Sequence, residues 1–251
     1  MKLNTNGPSP TLKKNVDEFN HDIASNAGYR YTTNAPYSSQ VANRRISKAI
    51  EAICAEIMSS IKTGIDIGCG DGTYTLELER HFPAIDWTGF DPAAEAIELG
   101  RKKTTRTQFL VGNILDEKSF PKNKYDIGIV RGVLHHLSTQ MLAIANAGLL
   151  SNRIIIIEPN GNNPILKYLE KNSKYHIEHE EQSFSSRQLK KWCEKSGFKI
   201  LKTNFIGFVP FFFPTPLARM IYFFQPLFEK IPYLAHFLGA QIVLVLEKKA
   251  T

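Results

Sequence analysis

Cysteine is scarce: Cys54, Cys69 and Cys193 are the only three in 251 residues, odd in number and without metal-ligand spacing. A disulfide framework and a zinc cluster are therefore not expected, and a reducing compartment suits the chain best. Long apolar runs are also missing. Nothing reaches the roughly 18 uninterrupted apolar residues of a membrane span. The nearest approach, Phe205 to Phe228, is broken by Pro210, Pro214, Pro216 and Pro226 and carries Arg219. Met1 to Pro10 is polar and holds no signal-peptide core, so the expectation is a cytoplasmic protein, with contact at a membrane surface left open. The absence of a fixed-period repeat and of low-complexity tracts argues against solenoids and disordered linkers.

What is present has a globular balance, with 43% hydrophobic and 22% charged residues. That composition supports a sizeable core, enough for one large domain or one domain with an inserted cap. The net charge of +7 suits phosphates, nucleic acid or acidic lipid headgroups as partners, and equally suits a plain soluble surface.

Along the chain, a polar arm precedes Ser38 to Ile61, where Val41, Ile46, Ile50, Ile53 and Ile57 recur at helical spacing. Gly64 to Gly68 then reads as a strand ending in glycines, and Thr73 to His81 as a helix. The alternation continues with strands at Ile85 to Phe90, Gln108 to Val111, Tyr125 to Val130 and Arg153 to Ile157. Helices are expected at Ala93 to Lys102, Ser138 to Leu149 and Ser186 to Ser196, and final strands near Phe198 to Phe205 and Gln241 to Glu247. Repeated βα units build a parallel sheet with helices on both faces. The last two strands lack a helical crossover of the usual kind, which allows them to pair antiparallel.

The first chemical station is Asp66-Ile67-Gly68-Cys69-Gly70-Asp71-Gly72, between a strand and a helix. Glycines there admit a ligand to the backbone, and amides at the helix start face it, although a tight turn with no ligand reads the same way. A second station, Phe90-Asp91-Pro92, sets a carboxylate at the end of the second strand, about twenty residues on, where it can accept from both hydroxyls of a ribose. Alone, Asp91 also serves as a helix N-cap. A dinucleotide-binding dehydrogenase uses similar parts, but Thr73 stands where spacing from Gly68, Gly70 and Gly72 offers no third motif glycine.

With these stations the chain resembles the class I S-adenosylmethionine-dependent methyltransferases, particularly their small-molecule branch, well over Gly64 to Glu158 and loosely in the flanks. The resemblance implies a Rossmann-like, seven-stranded, mostly parallel sheet with helices on both faces and S-adenosyl-L-methionine as cofactor. It sets the loop of Asp66, Gly68, Cys69, Gly70 and Gly72 beside the cofactor's methionine and ribose, and Asp91 with Pro92 at the ribose. Gly112-Asn113-Ile114 falls at the adenine, where the family usually has an acid. An amide oxygen still accepts from an adenine amino group, although Asn113 also fits a simple turn. Arg131 falls beside the methionine end. His136 and His135 face the acceptor mouth, and Glu158 with Pro159 ends the fifth strand at its border.

Methyl transfer from a sulfonium requires alignment more than activation. A base helps when the acceptor is a hydroxyl or an acidic carbon, and histidine suits that work near neutral pH. His136 and then His135 are the candidates, with packing or helix capping as the bland alternative for each. Tyr29 and Tyr31 in the arm either close over the cofactor or pack the arm.

The last two strands are separated by an insertion dense in aromatics, Phe208, Phe211, Phe212, Phe213, Tyr222, Phe223, Phe224, Phe228, Tyr233 and Phe237 among them. It is expected to form short helices interrupted at its prolines, and to bury its apolar face as a wall for the acceptor, a membrane contact or an oligomer interface. The chain thus divides into 1–62 (arm and helix), 63–204 (cofactor-binding core), 205–240 (cap) and 241–251 (last strand and tail). The reading is a methyltransferase acting on oxygen or carbon of a hydrophobic small molecule or lipid-like acceptor. A noncatalytic S-adenosylmethionine-binding protein and an RNA methyltransferase are the alternatives. Nucleic acid is not the expected partner, because Arg131-Gly132-Val133-Leu134 lacks the Asn-Pro-Pro type of motif and no single-strand platform is visible.

Overall fold

The computed structural model describes residues 20, 35–57, 60–172, 182–209, 211 and 213–249. Tyr29, Tyr31, Pro210 and Phe212 lie outside them. After helix α1 (Tyr37–Ile57) come β1 (Thr63–Ile67), α2 (Thr73–His81), β2 (Asp86–Asp91), α3 (Ala94–Lys103) and β3 (Gln108–Val111). Next are β4 (Ile127–Arg131), α4 (Gln140–Leu150), β5 (Arg153–Pro159), α5 (Pro164–Asn172) and α6 (Ser186–Lys195). β6 (Phe198–Ile206), α7 (Thr215–Phe228), α8 (Pro232–Leu238) and β7 (Gln241–Lys248) complete the order.

The strands form one seven-stranded sheet in the order β3-β2-β1-β4-β5-β7-β6. β1 to β5 run parallel, and β7 lies antiparallel between β5 and β6. Both faces are covered, which explains the unbroken isoleucines of β5. Ile154 and Ile156 pack with α4 and α6 residues such as Ile144 and Leu189, while Ile155 and Ile157 pack with α1 and α2 residues such as Ile50 and Leu78. Alternate residues of a strand point to opposite faces, so a strand buried on both sides must be apolar throughout.

Two details differ from the sequence expectation. Helix α5 was not foreseen: none of its residues is buried, so no buried stripe marks it. Pro226 does not interrupt the insertion either, because it lies inside α7, two residues before its end. So near the terminus, proline removes only the bond to the carbonyl of Tyr222, and the helix closes through Glu229 N–H donating to Gln225 O at 3.0 Å.

The register also places the insertion. Pro159 of β5 pairs with Gln241 of β7, and Gln241 with Ile206 of β6. The described residues between 207 and 240 therefore rise from the carboxyl ends of the parallel strands, the edge where β1 meets its glycine loop.

Candidate active site

The glycine loop turns sharply at three left-handed positions, Gly68, Gly70 and Gly72, with φ of 76°, 54° and 75°. At Gly68 and Gly72 packing adds a second reason for glycine, since a side chain would collide with Val133 and with Phe109 respectively. Val133 belongs to the turn after β4, so the close approach at Gly68 brings the first and fourth strand ends together. The loop is also tied to β2: Gly68 N–H donates to Phe90 O at 2.7 Å, and Gly70 N–H donates to Asp91 Oδ2 at 2.9 Å.

Asp91 Oδ1 accepts from Ala93 N–H at 2.8 Å, so one carboxylate holds both the turn into α3 and the glycine loop; the N-cap of α3 is Ala93, not Asp91. Burial pushes its pKa up to about 6, backbone bonds from Ala93 and Gly70 oppose the rise, and Asp66 and Asp71 add to it. Each oxygen has a single backbone donor here and retains acceptor capacity. That fits ribose hydroxyls, which are neutral donors to a buried carboxylate.

The neighbouring acids have other partners. Asp66 Oδ2 accepts from Thr75 Oγ1 at 2.6 Å inside the core, and burial raises its pKa. Asp71 is held below the ordinary range despite burial by the Lys103 ammonium, 3.1 Å away, and by Thr73. Burial, with Asp91 and Asp66 nearby, pushes the Cys69 thiol well above its usual value, so it stays a protonated packing group.

Arg131 leans away from the strand ends toward α1 and α2. Its guanidinium donates to Ser47 Oγ at 3.1 Å and to Asn43 Oδ1 at 3.1 Å, and lies 3.5 Å over the Tyr74 ring. Burial lowers its pKa, with Tyr74, Glu77 and Asp66 opposing. Arg131 thus anchors α1 to the end of β4. Asn113 closes a turn, its Oδ1 accepting from Leu115 N–H at 2.9 Å, while Ile114 is buried and its carbonyl accepts from Asn146 Nδ2 at 2.8 Å.

The largest addition to the sequence reading is Glu158. It is fully buried at the end of β5. Oε1 accepts from Val133 N–H at 2.9 Å and Leu134 N–H at 2.7 Å, and Oε2 accepts from His135 N–H at 3.3 Å. The same Oε2 lies 2.8 Å from His135 Nδ1. Three backbone N–H groups donating to the two oxygens fit a carboxylate, and a carboxylate oxygen can only accept from Nδ1. His135 therefore carries its proton on Nδ1, which makes Nε2 the basic atom. The His136 ring lies against it, tilted by 42°, with centroids 3.9 Å apart. Among the described residues no His, Cys, Asp and Glu group suited to a metal occurs.

Residues 37–203 match the family model for a methyltransferase domain. The chain belongs to that family. S-adenosylmethionine is its cofactor, and the residues present fit it: the left-handed glycine turn and the buried Asp91 carboxylate at adjoining strand ends. An uncharacterised methyltransferase of Schizosaccharomyces pombe is 29% identical over 91 residues, 32% of this chain and 32% of that protein. The chain thus spans about a third of the length of the curated relative it matches. Magnesium protoporphyrin IX methyltransferase from Synechocystis PCC 6803, solved with bound SAH, superposes with a TM-score of 0.66 at 13% identity, covering 94% of this chain and 99% of that one. A [4+2]-cyclase, SpnF, superposes at 0.64 with 15% identity and 97% coverage of both chains. At such identities the likeness establishes the fold alone, and the cyclase illustrates that one fold hosts more than one reaction.

Proposed function

We propose that this protein transfers a methyl group from S-adenosylmethionine to an oxygen or acidic carbon of a hydrophobic small molecule, with His135 as general base and Glu158 as its positioning residue. The observation that carries the reading is the buried Glu158–His135 pair beside the glycine loop. A histidine fixed in one tautomer by a buried carboxylate is ready to accept a proton at Nε2, and this is the group a hydroxyl or carbon acid needs. The bound cofactor supplies a methyl group already activated on a positively charged sulfur. The chain's own residues hold it through Gly68, Cys69, Gly70 and Gly72 with Asp66 behind them, through Asp91 and Pro92, and through the Asn113-Ile114 turn. Arg131 acts at one remove, by fixing α1 beside the strand ends.

Hydrophobicity of the acceptor is supported by the cap, since the same rim that carries the histidines carries the aromatic insertion. His136, packed against His135, would border the acceptor. Incubation with labelled donor and fractionated cell lipids and metabolites tests the reading. Label in an apolar product, lost in His135→Ala, is the expected outcome. Donor binding with no labelled product in any fraction would instead make this a noncatalytic S-adenosylmethionine-binding protein.

A further inference from the structure

Helix α7 has two contrasting faces. Ala218 and Gln225 are buried, and Gln225 Oε1 accepts from Phe208 N–H at 2.9 Å, so that face is turned to the protein. The opposite face exposes Met220, Phe223, Phe224 and Leu227 at helical spacing, and Ile231 continues the ridge into the turn before α8. Phe223 is 77% exposed and, on α8, Tyr233 is 75% exposed. An isolated exposed leucine needs no explanation, but a contiguous aromatic ridge does.

The ridge borders a groove between α1 and α7 with a cavity volume of about 600 Å³, lined by Arg45, Lys48 and Arg219 together with Tyr222 and Phe223. Arg45 is paired with Glu229 at 2.6 Å, and Arg219 lies 5.3 Å from the centre of the Tyr37 ring. Lys48 is exposed, and Lys230 adds another exposed cation at the end of α7.

We infer that the α7 ridge docks in the plane of an anionic lipid surface, its side chains entering the acyl boundary while Lys48, Arg219 and Lys230 meet the headgroups. No helix among the described residues is long and apolar enough to cross a membrane, so the contact is interfacial. Charge decides between the occupants of such a ridge. A two-fold contact with a second copy would set the same cations against each other, whereas anionic headgroups complement them. A soluble acceptor bound at the strand ends would leave the ridge uncovered, because the ridge faces away from the body of the protein. Docking does not rest on the methyl-transfer reading. Together, though, they bring an apolar acceptor to the rim by way of the bilayer.

Flotation of the full chain with vesicles of phosphatidylcholine alone, or of phosphatidylcholine mixed with phosphatidylglycerol, tests the inference. Wild type is expected to float with the anionic vesicles at least about tenfold more strongly than with neutral ones. Phe223→Ser with Leu227→Ser should lose about tenfold or more of that binding, and Lys48→Glu with Arg219→Glu should erase the preference for anionic lipid. Titration with S-adenosylhomocysteine, expected to be unchanged, checks the fold of each variant. Should a double variant fail that check, Phe223→Ser and Lys48→Glu alone carry the same comparison. Equal flotation of wild type with both vesicles, or undiminished flotation of the ridge variant, overturns the inference. So does a wild-type dimer in sedimentation that the ridge variant converts to monomer, because the ridge would then be a subunit interface.

Discussion

The glycine loop after β1, with its partners on α2, β2 and α3, and the insertion from Gly207 to Ala240 stand at the same edge of the sheet and are built in opposite ways. In the first, polar groups are buried and matched within a short stretch of chain: Asp66 to Thr75, Gly70 to Asp91, Asp71 to Lys103. In the second, apolar side chains face outward, and beside short links such as Gln225 to Phe208 N–H the bonds that fasten it to α1 reach far along the sequence. Ser38 Oγ donates to Phe211 O at 2.6 Å, and Arg45 grips Glu229. A site organised around its own bonds reports its ligand. A surface organised around its lack of them reports a partner outside the molecule.

If this contrast is right, changes at the strand ends should act on chemistry or cofactor and leave the cap's behaviour intact. The largest effect is expected from His135→Ala, which should lower turnover on the order of 10²-fold or more with little change in donor affinity. Glu158→Gln should lower it less and move the acidic limb of the pH–rate profile, because the amide no longer fixes the His135 tautomer. A turnover change without a pH change would assign Glu158 to holding the β4 turn alone. Next comes Gly70→Val. A β-branched residue at φ 54° is strained, and its side chain enters the cofactor's space, so donor affinity by calorimetry should fall roughly a hundredfold. Flotation with vesicles should stay at the wild-type level.

The same contrast explains what was legible in the sequence. Glycine spacing, the Asp91 turn and the strand lengths are set by neighbours a few residues away, so α2 and β3 appear with the predicted limits. The partnership of Glu158 with His135 spans 23 residues and depends on the β4–β5 register that sets Arg131 opposite Ile157. Sequence showed Glu158 only as the end of a strand. A charged residue closing an isoleucine run was the available signal, because a buried carboxylate must find donors. Arg131 shows the reverse: its position was legible, but its direction, toward Asn43 and Ser47 of α1, depends on a packed helix 84 residues away.

Asp91 gives a third, smaller effect through pH. Its folded pKa, near 6, stands above the ordinary 3.8, so in the free protein its stabilising contribution is full below about pH 4 and is lost as pH rises through 6. Ribose hydroxyls favour the ionised form, so donor binding has the opposite dependence and should weaken roughly tenfold between pH 7 and pH 5. Titrations across that window check it, and Asp91→Asn should flatten the curve while weakening binding throughout. A flat wild-type curve would remove Asp91 from the cofactor.

The smallest effect belongs to the fastening of the cap. Glu229 accepts from Arg45 Nε and Nη2 at 2.8 and 2.6 Å and from Gly207 N–H at 2.9 Å, joining α7 to α1 and to the end of β6. Glu229→Gln keeps the size but gives up charge-assisted bonds, costing about 1–2 kcal/mol in a mostly buried setting. In a chain of this length that corresponds to a melting shift of about 2–8 °C. Donor affinity should be unchanged, since the glycine loop and Asp91 make no contact with this pair. If affinity falls with the melting temperature, the pull on α1 is reaching Arg131 through Asn43 and Ser47, and the two regions are coupled by that helix instead of standing apart.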